Sequence, residues 1–284
     1  MDFLANYFGS LNPMSFLSAL PGNIAQGIIW GLMGLGVFLT FKLLNFADLS
    51  VDGSFATGGA VTAVMLINGC PVWATIIVAI LAGLAAGLVT GLLHTLLGIP
   101  DILAGILTQI ALYSINLNIM GKSNLPISYR NYTLVVSASN INMAILVGLG
   151  ICAVVIAAMY WYFGTEQGST IRSTGSNPAM SKAQGININV AKVIALALSN
   201  GLVALAGSLF AQYQGFADIN MGRGAIVIGL AAVIIGEVLG EAIFRKRMNF
   251  VVKMLFVIVG GILYYIAMGI VLWLKMPTDD TKLF

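Results

Sequence analysis

Two aspartates in a short polar segment are the residues whose spacing most directly indicates chemistry. Asp48 and Asp52 are separated by one helical turn, so they would share one face of a helix. A carboxylate at the centre of a bilayer costs about 2.5–3.5 kcal/mol on insertion scales, so it requires water, a partner or a cavity. The apolar run that follows, from Gly53 to Ile67, would form a helix only about 22 Å long, which is shorter than a hydrocarbon core of about 30 Å. We therefore predict a broken helix, whose irregular backbone is buried in protein or lines an aqueous path.

A second segment repeats this pattern. Residues 46–50 (FADLS) match residues 216–220 (FADIN), and each segment precedes glycine and then an apolar helix. In the topology derived below, the two segments lie toward opposite sides of a membrane, as in transporters built from inverted repeats. The echo therefore indicates an inverted repeat. A coincidence of turn-forming residues is the alternative.

The amino-acid composition indicates whether the chain folds in water or in a membrane. Of its 284 residues, 59% are hydrophobic and 8% are charged, whereas soluble domains average about 25% charged residues. This deficit excludes an ordinary cytosolic enzyme, and 13 basic residues are too few for a nucleic-acid-binding protein. With two cysteines and one histidine, we expect neither a metal site nor a disulfide framework. The composition predicts an all-α polytopic membrane protein.

Apolar runs of about 20 residues, the length that crosses the hydrocarbon core, divide the chain into membrane elements. We expect residues 1–23 to form an external segment at the membrane interface and residues 24–284 to form a single transmembrane domain. About eight elements are predicted in that domain: Ile24–Leu44, Asn45–Ile67, Val72–Leu93, Ile102–Met120, Met143–Phe163, Lys192–Gln214, Gly224–Gly240 and Val251–Leu274.

Small residues within these elements indicate how the helices pack. Glycines recur every four residues at Gly83, Gly87 and Gly91, and again at Gly27 and Gly31. This spacing allows the backbones of neighbouring helices to approach closely in lipid. Amide side chains inside the spans are expected to bond to neighbouring helices; they include Gln109, Asn116, Asn118 and Asn200.

The distribution of basic residues predicts the orientation. If the loop at residues 164–191 is cytoplasmic, alternation of the spans places eight Lys and Arg residues inside and five outside. The cluster Arg245–Arg247 makes the largest contribution. Both termini then lie outside. The sequence after Pro277 ends abruptly on apolar residues, so we expect that a final helix is missing from it.

The cytoplasmic loop contains the signals of a short helix. Ser176 or Asn177 is suited to cap a helix that begins at Pro178, and Gly185 is suited to end it in the left-handed conformation. The exposed face of this helix would consist of small or flexible side chains, namely Ala179, Met180 and Ala183. A rigid helix of this kind favours docking into a groove of another protein. An ordinary connecting loop is the alternative.

Taken together, these motifs resemble the permease subunits of ATP-binding-cassette importers of the branched-chain amino acid and ribose class. The resemblance rests on residues 48–54 (DLSVDGS), 172–178 (RSTGSNP) and 183–186 (AQGI), and it extends from about residue 22 to residue 274. In particular, the chain is similar to permeases assigned to tryptophan or tyrosine uptake.

The resemblance implies partners and site residues. Such permeases form dimers, here a homodimer, and each copy binds one ATPase subunit through the short cytoplasmic helix. An external substrate-binding protein or lipoprotein delivers the solute, and the ATPase binds ATP and Mg²⁺, so no cofactor is expected on this chain. The solute path at the dimer interface would be lined or gated by Asn45, Asp48, Ser50, Asp52, Asn116, Asp218 and Asn220. The ATPase would contact Arg172, Gly175, Ser176, Asn177, Pro178, Met180, Ala183 and Gly185.

We therefore expect the permease subunit of an ATP-driven importer in the bacterial cytoplasmic (inner) membrane. It would move a small polar solute, such as an aromatic or branched-chain amino acid, by alternating access. The chain itself is not expected to be an enzyme, because the nearest match to an ATP-binding loop, at Gly121–Ser123, has Asn116 where the first glycine is required. The alternative function is a proton- or ion-coupled secondary transporter that uses Asp48, Asp52 or Asp218 as a relay.

Overall fold

A computed structural model describes residues 13–127, 132, 134–244 and 248–274. Within these ranges the helices are α1 (Pro13–Val37), α2 (Val51–Ile67), α3 (Val72–Leu96), α4 (Asp101–Met120), α5 (Ile141–Phe163), α6 (Glu166–Ser176), α7 (Pro178–Ala183), α8 (Ile188–Gln214), α9 (Ala225–Phe244) and α10 (Phe250–Trp273), and the strands are β1 (Asn124–Pro126) and β2 (Phe216–Asp218). Seven of the described helices are long and apolar enough to cross a membrane, and α2 is a shorter apolar helix. The predicted all-α polytopic class is confirmed.

The first membrane helix differs from the prediction at both ends. α1 begins at Pro13 and continues without interruption past residue 23, so residues 13–23 are helical and continuous with the first membrane helix. The interfacial position of these residues stays a prediction. Residues 1–12 lie outside the described residues. At its other end, α1 continues as a π-helix from Phe38 to Leu43. π-Helical turns are rare and occur frequently at functional sites.

Two of the spanning helices form the centre of the bundle. Within an apolar stretch of 18 residues of each helix, 83% of the residues are buried in the first membrane helix and 72% in α8, whereas only 28% are buried in α9 and in α10. α3 packs along α8, α10 packs along α1, and α2 lies against α8. Aromatic rings fill the space between these helices, since the Trp30 ring stacks on Phe55 at 4.8 Å between centroids and meets the edge of Phe210 at 5.3 Å.

The predicted close approach at the glycines is confirmed. A Cβ atom added to Gly87 would lie 2.2 Å from the carbonyl oxygen of Leu196 on α8, and one added to Gly27 would lie 2.6 Å from the Cα of Ile262 on α10. No side chain fits at such distances, so only glycine allows these helices to pack here. The other members of the two sets, Gly83, Gly91 and Gly31, make similar backbone contacts.

The bundle has two distinct ends. At one end, which we call the α7 face, lie α6, α7 and the end of α3, where His94 Nε2 is 2.9 Å from Lys192 Nζ. At the other end, which we call the sheet face, β1 pairs antiparallel with β2. This strand pair was not predicted from the sequence. The predicted basic cluster at Arg245–Arg247 and the chain after Leu274 lie outside the described residues.

Candidate functional site

The chain between the π-helix and α2 is non-helical, so the predicted break is confirmed. Asn45 has a φ of +54°, in the left-handed region that few residues other than glycine adopt. The next amide, from Phe46, donates back to the carbonyl oxygen of Thr40 at 2.9 Å. The chain then turns at Asp48 and Ser50 before α2 begins at Val51.

A buried polar network fixes this break to the central helix α8. The Asp48 Oδ1 accepts a hydrogen bond from the backbone N–H of Ser50 at 2.9 Å, and the Asp48 Oδ2 accepts one from Asn200 Nδ2 at 2.7 Å. Ser54 Oγ on α2 donates to Asn200 Oδ1. All four side chains are buried. The interhelical bond expected of Asn200 is therefore present, and it holds a carboxyl group predicted to gate the path.

The two echoing segments adopt the same local turn. As at Asp48 and Ser50, the Asp218 Oδ1 accepts a hydrogen bond from the backbone N–H two residues later, from Asn220 at 2.7 Å. This is the turn that aspartate side chains form with their own backbone. The helices begin at different distances after the turns, at Val51 and at Ala225. The similarity is therefore local, and the inverted repeat remains a prediction.

The starts of α2 and α9 are joined by Asp52. Its Oδ2 accepts a hydrogen bond from the backbone N–H of Gly224 at 2.9 Å, and its Oδ1 accepts one from Ile226 at 2.9 Å. The carboxylate thus caps the N-terminus of a helix distant in sequence, where negative charge is favoured. Gly222 permits this approach, because a Cβ there would lie 2.0 Å from the carbonyl oxygen of Asp52.

A cavity of about 360 Å³, lined by both polar and apolar residues, lies beside this junction. One wall is α4, whose side chains Gln109, Tyr113 and Asn116 recur at helical spacing. The other walls are the first turns of α2, including Asp52, and the turn that carries Asn220 and Arg223; apolar lining comes from Gly53, Ala56, Ile110 and Ile219. α4 can approach closely because Gly105 packs on the Leu49 backbone, where a Cβ would lie 2.7 Å from the amide nitrogen.

Asn116 and Arg223, which line this cavity, have no side-chain partner within the described part of the chain. Asn116 is only 1% exposed, and neither its Oδ1 nor its Nδ2 forms a hydrogen bond there. Arg223 is exposed and forms no ion pair with any described residue. In contrast, both oxygens of Asp52 are already hydrogen-bonded. The cavity therefore has a guanidinium group and amide groups that can bind a ligand, whereas the Asp52 carboxylate stabilises the fold.

The seven residues predicted to line the solute path lie in four different parts of the structure. The structure brings together Asp52, Asn116 and Asn220 at the cavity, whereas Asp48 and Ser50 belong to the buried network. Asn45 is exposed near the α7 face, and Asp218 lies on β2 with its Oδ2 3.5 Å from Asn124 Nδ2. The site residues not predicted are Gln109, Tyr113 and Arg223.

The predicted short helix is present as α7. Asn177 caps it, because its Oδ1 accepts a hydrogen bond from the backbone N–H of Met180 at 3.0 Å. Pro178 is the first helical residue, and Gly185 has a φ of +81° just beyond the end. The predicted face is exposed; it consists of Ala179, Met180 and Ala183.

The residues before this helix require a correction. Arg172, Gly175 and Ser176 were predicted as part of a polar loop leading into the short helix, but they belong to a separate helix, α6. α6 packs tightly on the end of the π-helix, since a Cβ on Gly175 would lie 1.8 Å from the carbonyl oxygen of Leu43. Arg172 lines a cavity with Phe163 and Phe250, and its contact with an ATPase stays a prediction. α6 thus lies between α7 and the helix break.

Known proteins match nearly the whole chain. Residues 22–284 match the family model described as branched-chain amino acid transport system / permease component. The chain is 41% identical over 268 residues to a tyrosine transport system permease protein of Clostridioides difficile, which covers 94% of this chain and 88% of that protein. It is 28% identical over 207 residues to a ribose import permease protein of Haemophilus influenzae, covering 71% of this chain and 64% of that protein. A solved structure, PsaBC from Streptococcus pneumoniae in complex with Fab, is similar with a TM-score of 0.40 and 16% identity over 94% of this chain and 95% of that chain.

Proposed function

This chain belongs to the branched-chain amino acid transport system permease family, and on that premise we propose that it is the membrane subunit of an ATP-driven importer of an amino acid. A 41% identical relative is named as a tyrosine transport permease, which supports an aromatic amino acid as the solute. A second copy of the chain, an ATPase subunit and an external substrate-binding protein complete the transporter in the bacterial cytoplasmic membrane. ATP and Mg²⁺ bind to the ATPase subunit.

The proposal rests on the construction of α7. A helix of six residues would not persist alone in water, yet α7 is capped by Asn177, is followed by Gly185 in the left-handed conformation and projects Met180 with 58% of its surface exposed. Such a helix suits a groove on a soluble partner. α6 lies between α7 and Leu43 at the end of the π-helix. A displacement of α7 is therefore transmitted through α6 to the π-helix and the break.

Alternating access follows from what the break contacts. The π-helix end and α9 are linked at the α7 face by the ion pair between Lys42 Nζ and Glu237 Oε1 at 2.7 Å. α9 begins at the Asp52 junction, beside the cavity. A pull on α6 therefore acts on α2, which lines the cavity, and on α9, which begins beside it, and it opens the cavity to one side of the membrane at a time.

Charged substitutions on α7 test this function. We expect the double variant Met180→Lys/Ala183→Glu to lose association with the cognate ATPase subunit and to lose ATP-dependent uptake. Ser169→Lys is the matched control, because Ser169 is exposed on α6, is not among the predicted contact residues, and its hydroxyl bonds only within its own helix. Pull-down of the ATPase and uptake of radiolabelled L-tyrosine by cells are the measurements. Retained ATPase binding in the double variant contradicts the proposal.

A further inference from the structure

We infer that the cavity between α2, α4 and the turn at residues 219–223 is the solute-binding site of this chain, and that Arg223 binds the carboxylate of an α-amino acid there. The inference rests on the proposed function as an amino acid importer. It assigns the binding roles within the cavity to particular side chains.

The unpaired amide of Asn116 indicates that the cavity receives a polar ligand. Buried polar groups almost always have hydrogen-bond partners. Asn116 is buried with both its donor and its acceptor unused by the described residues, and it lines the cavity wall. A solute, or water that the solute displaces, is the partner that this amide requires.

Among the described charged side chains that line the cavity, only Arg223 has hydrogen-bonding groups free for a ligand, which favours a carboxylate. Asp52 uses both oxygens to cap α9, and Asp218 uses Oδ1 in its own turn. Arg223 has no ion-pair partner in the described ranges of the chain, so its positive charge is available. Guanidinium binds carboxylate with two parallel hydrogen bonds, a geometry that a hydroxyl group of a sugar does not match.

The remaining lining suits the rest of an amino acid. Amide oxygens of Gln109, Asn116 and Asn220 can accept hydrogen bonds from an ammonium group. Tyr113, which is 46% exposed, offers an aromatic surface beside Ile110 for the side chain of the solute. The cavity volume of about 360 Å³ lies within the range of about 300–1,000 Å³ for small-molecule sites.

Uptake by the complete transporter tests the assignment. Cells that express the chain with its partners are given radiolabelled L-tyrosine, L-tryptophan or L-leucine, and the transported one is then competed with its decarboxylated amine. We expect the amine, which lacks the carboxylate, not to compete. Arg223→Gln should raise the concentration for half-maximal uptake about tenfold or more, because a charge-assisted bidentate contact is lost. Arg223→Lys should lie between Arg223→Gln and the wild type.

Two control variants separate binding from folding. Lys122→Gln removes an exposed positive charge near the sheet face that does not line the cavity, and it should leave uptake unchanged. Asn116→Ala should impair uptake, whereas Asn118→Ala, which removes an exposed bond within α4, should not. ATPase pull-down should be normal in all of these variants.

Two results overturn the inference. They are uptake by Arg223→Gln that equals that of Lys122→Gln, and equal competition by the amine. In each case ATPase binding through α7 can persist. Failure of the assignment is therefore distinguishable from failure of the proposed function.

Discussion

The carboxylate of Asp52 accepts a hydrogen bond from the backbone N–H of Ile226 at 2.9 Å, so the first turn of α2 caps the first turn of α9. From this junction the two helices run to opposite ends of the bundle. α2 reaches the sheet face, where Leu66 packs in one cluster with Ile127, and α9 reaches the α7 face, where Glu237 pairs with Lys42. The Asp52 side chain thus links α2, which lines the cavity, to α9, which begins beside it, and through them connects the cavity to both faces of the bundle.

Removal of this cap should destabilise the chain. We expect Asp52→Ala to lower the free energy of unfolding by about 1.5–3 kcal/mol, the range for hydrogen bonds to charged groups. Asp52→Asn, which keeps one acceptor oxygen, should have a smaller effect. Asp101→Ala is the control, because it removes one exposed bond to Ile102 within a single helix. Thermal unfolding in detergent is the measurement, and equal losses for Asp52→Ala and Asp101→Ala contradict the capping role.

The contact between Asp48 and Asn200 should behave as a coupled pair. Asn200→Ala leaves the Oδ2 of the buried Asp48 carboxyl group without its donor, so it should be strongly destabilising. The double variant Asp48→Ala/Asn200→Ala should cost less than the sum of the two single variants, with a coupling of about 0.5–3 kcal/mol. Unfolding midpoints of the four proteins measure this coupling. Additive losses would show that the two side chains act independently.

Close packing of α2 on α8 should make Gly207 intolerant of any side chain. A Cβ there would lie 2.0 Å from the carbonyl oxygen of Phe55, and forced overpacking typically costs about 1–3 kcal/mol. Gly207→Ala should therefore lower the unfolding temperature. Gly150→Ala on α5 is the matched control, since nothing lies within 4 Å of its added Cβ and alanine favours the helix. Equal stability of the two variants would refute the packing.

A methyl group at Gly175 should separate α6 from the π-helix without altering α7. Its Cβ would lie 1.8 Å from the carbonyl oxygen of Leu43. We expect Gly175→Ala to bind the ATPase normally but to lose most uptake, because motion of α7 no longer reaches the break. Ser173→Ala, which removes only a bond to Thr170 within α6, is the control. Normal uptake by Gly175→Ala would remove α6 from the mechanism.

Features with local signals could be predicted from the sequence. The break at residues 44–50 follows from polar residues and a helix too short to span, and α7 follows from Asn177, Pro178 and Gly185. These residues act on the backbone within a few positions, so their effects are visible in the sequence. α6 was missed because its serines, threonines and Gly175 are weak helix formers. In the structure the hydroxyls bond back to carbonyls, as Ser169 does to Glu166.

Long-range contacts could not be predicted in the same way. Nothing near Asp52 in the sequence indicates that its partners are the amides of Gly224 and Ile226, 172 and 174 residues away. Arg223 resembled an ordinary external basic residue until the fold placed it beside Asn116. The spacing of Gln109, Tyr113 and Asn116 in the sequence places them on one face of α4. Periodicity alone does not say what that face contacts.

Reconstitution into vesicles tests the central claim most directly. The purified chain is inserted with or without its ATPase subunit, and uptake of radiolabelled L-tyrosine from the substrate-binding protein is measured with Mg-ATP or with a proton or sodium gradient. The predicted result is uptake that requires both the ATPase and ATP, and that is lost in Met180→Lys/Ala183→Glu. Accumulation driven by an ion gradient through the chain alone would contradict the claim and favour a secondary transporter.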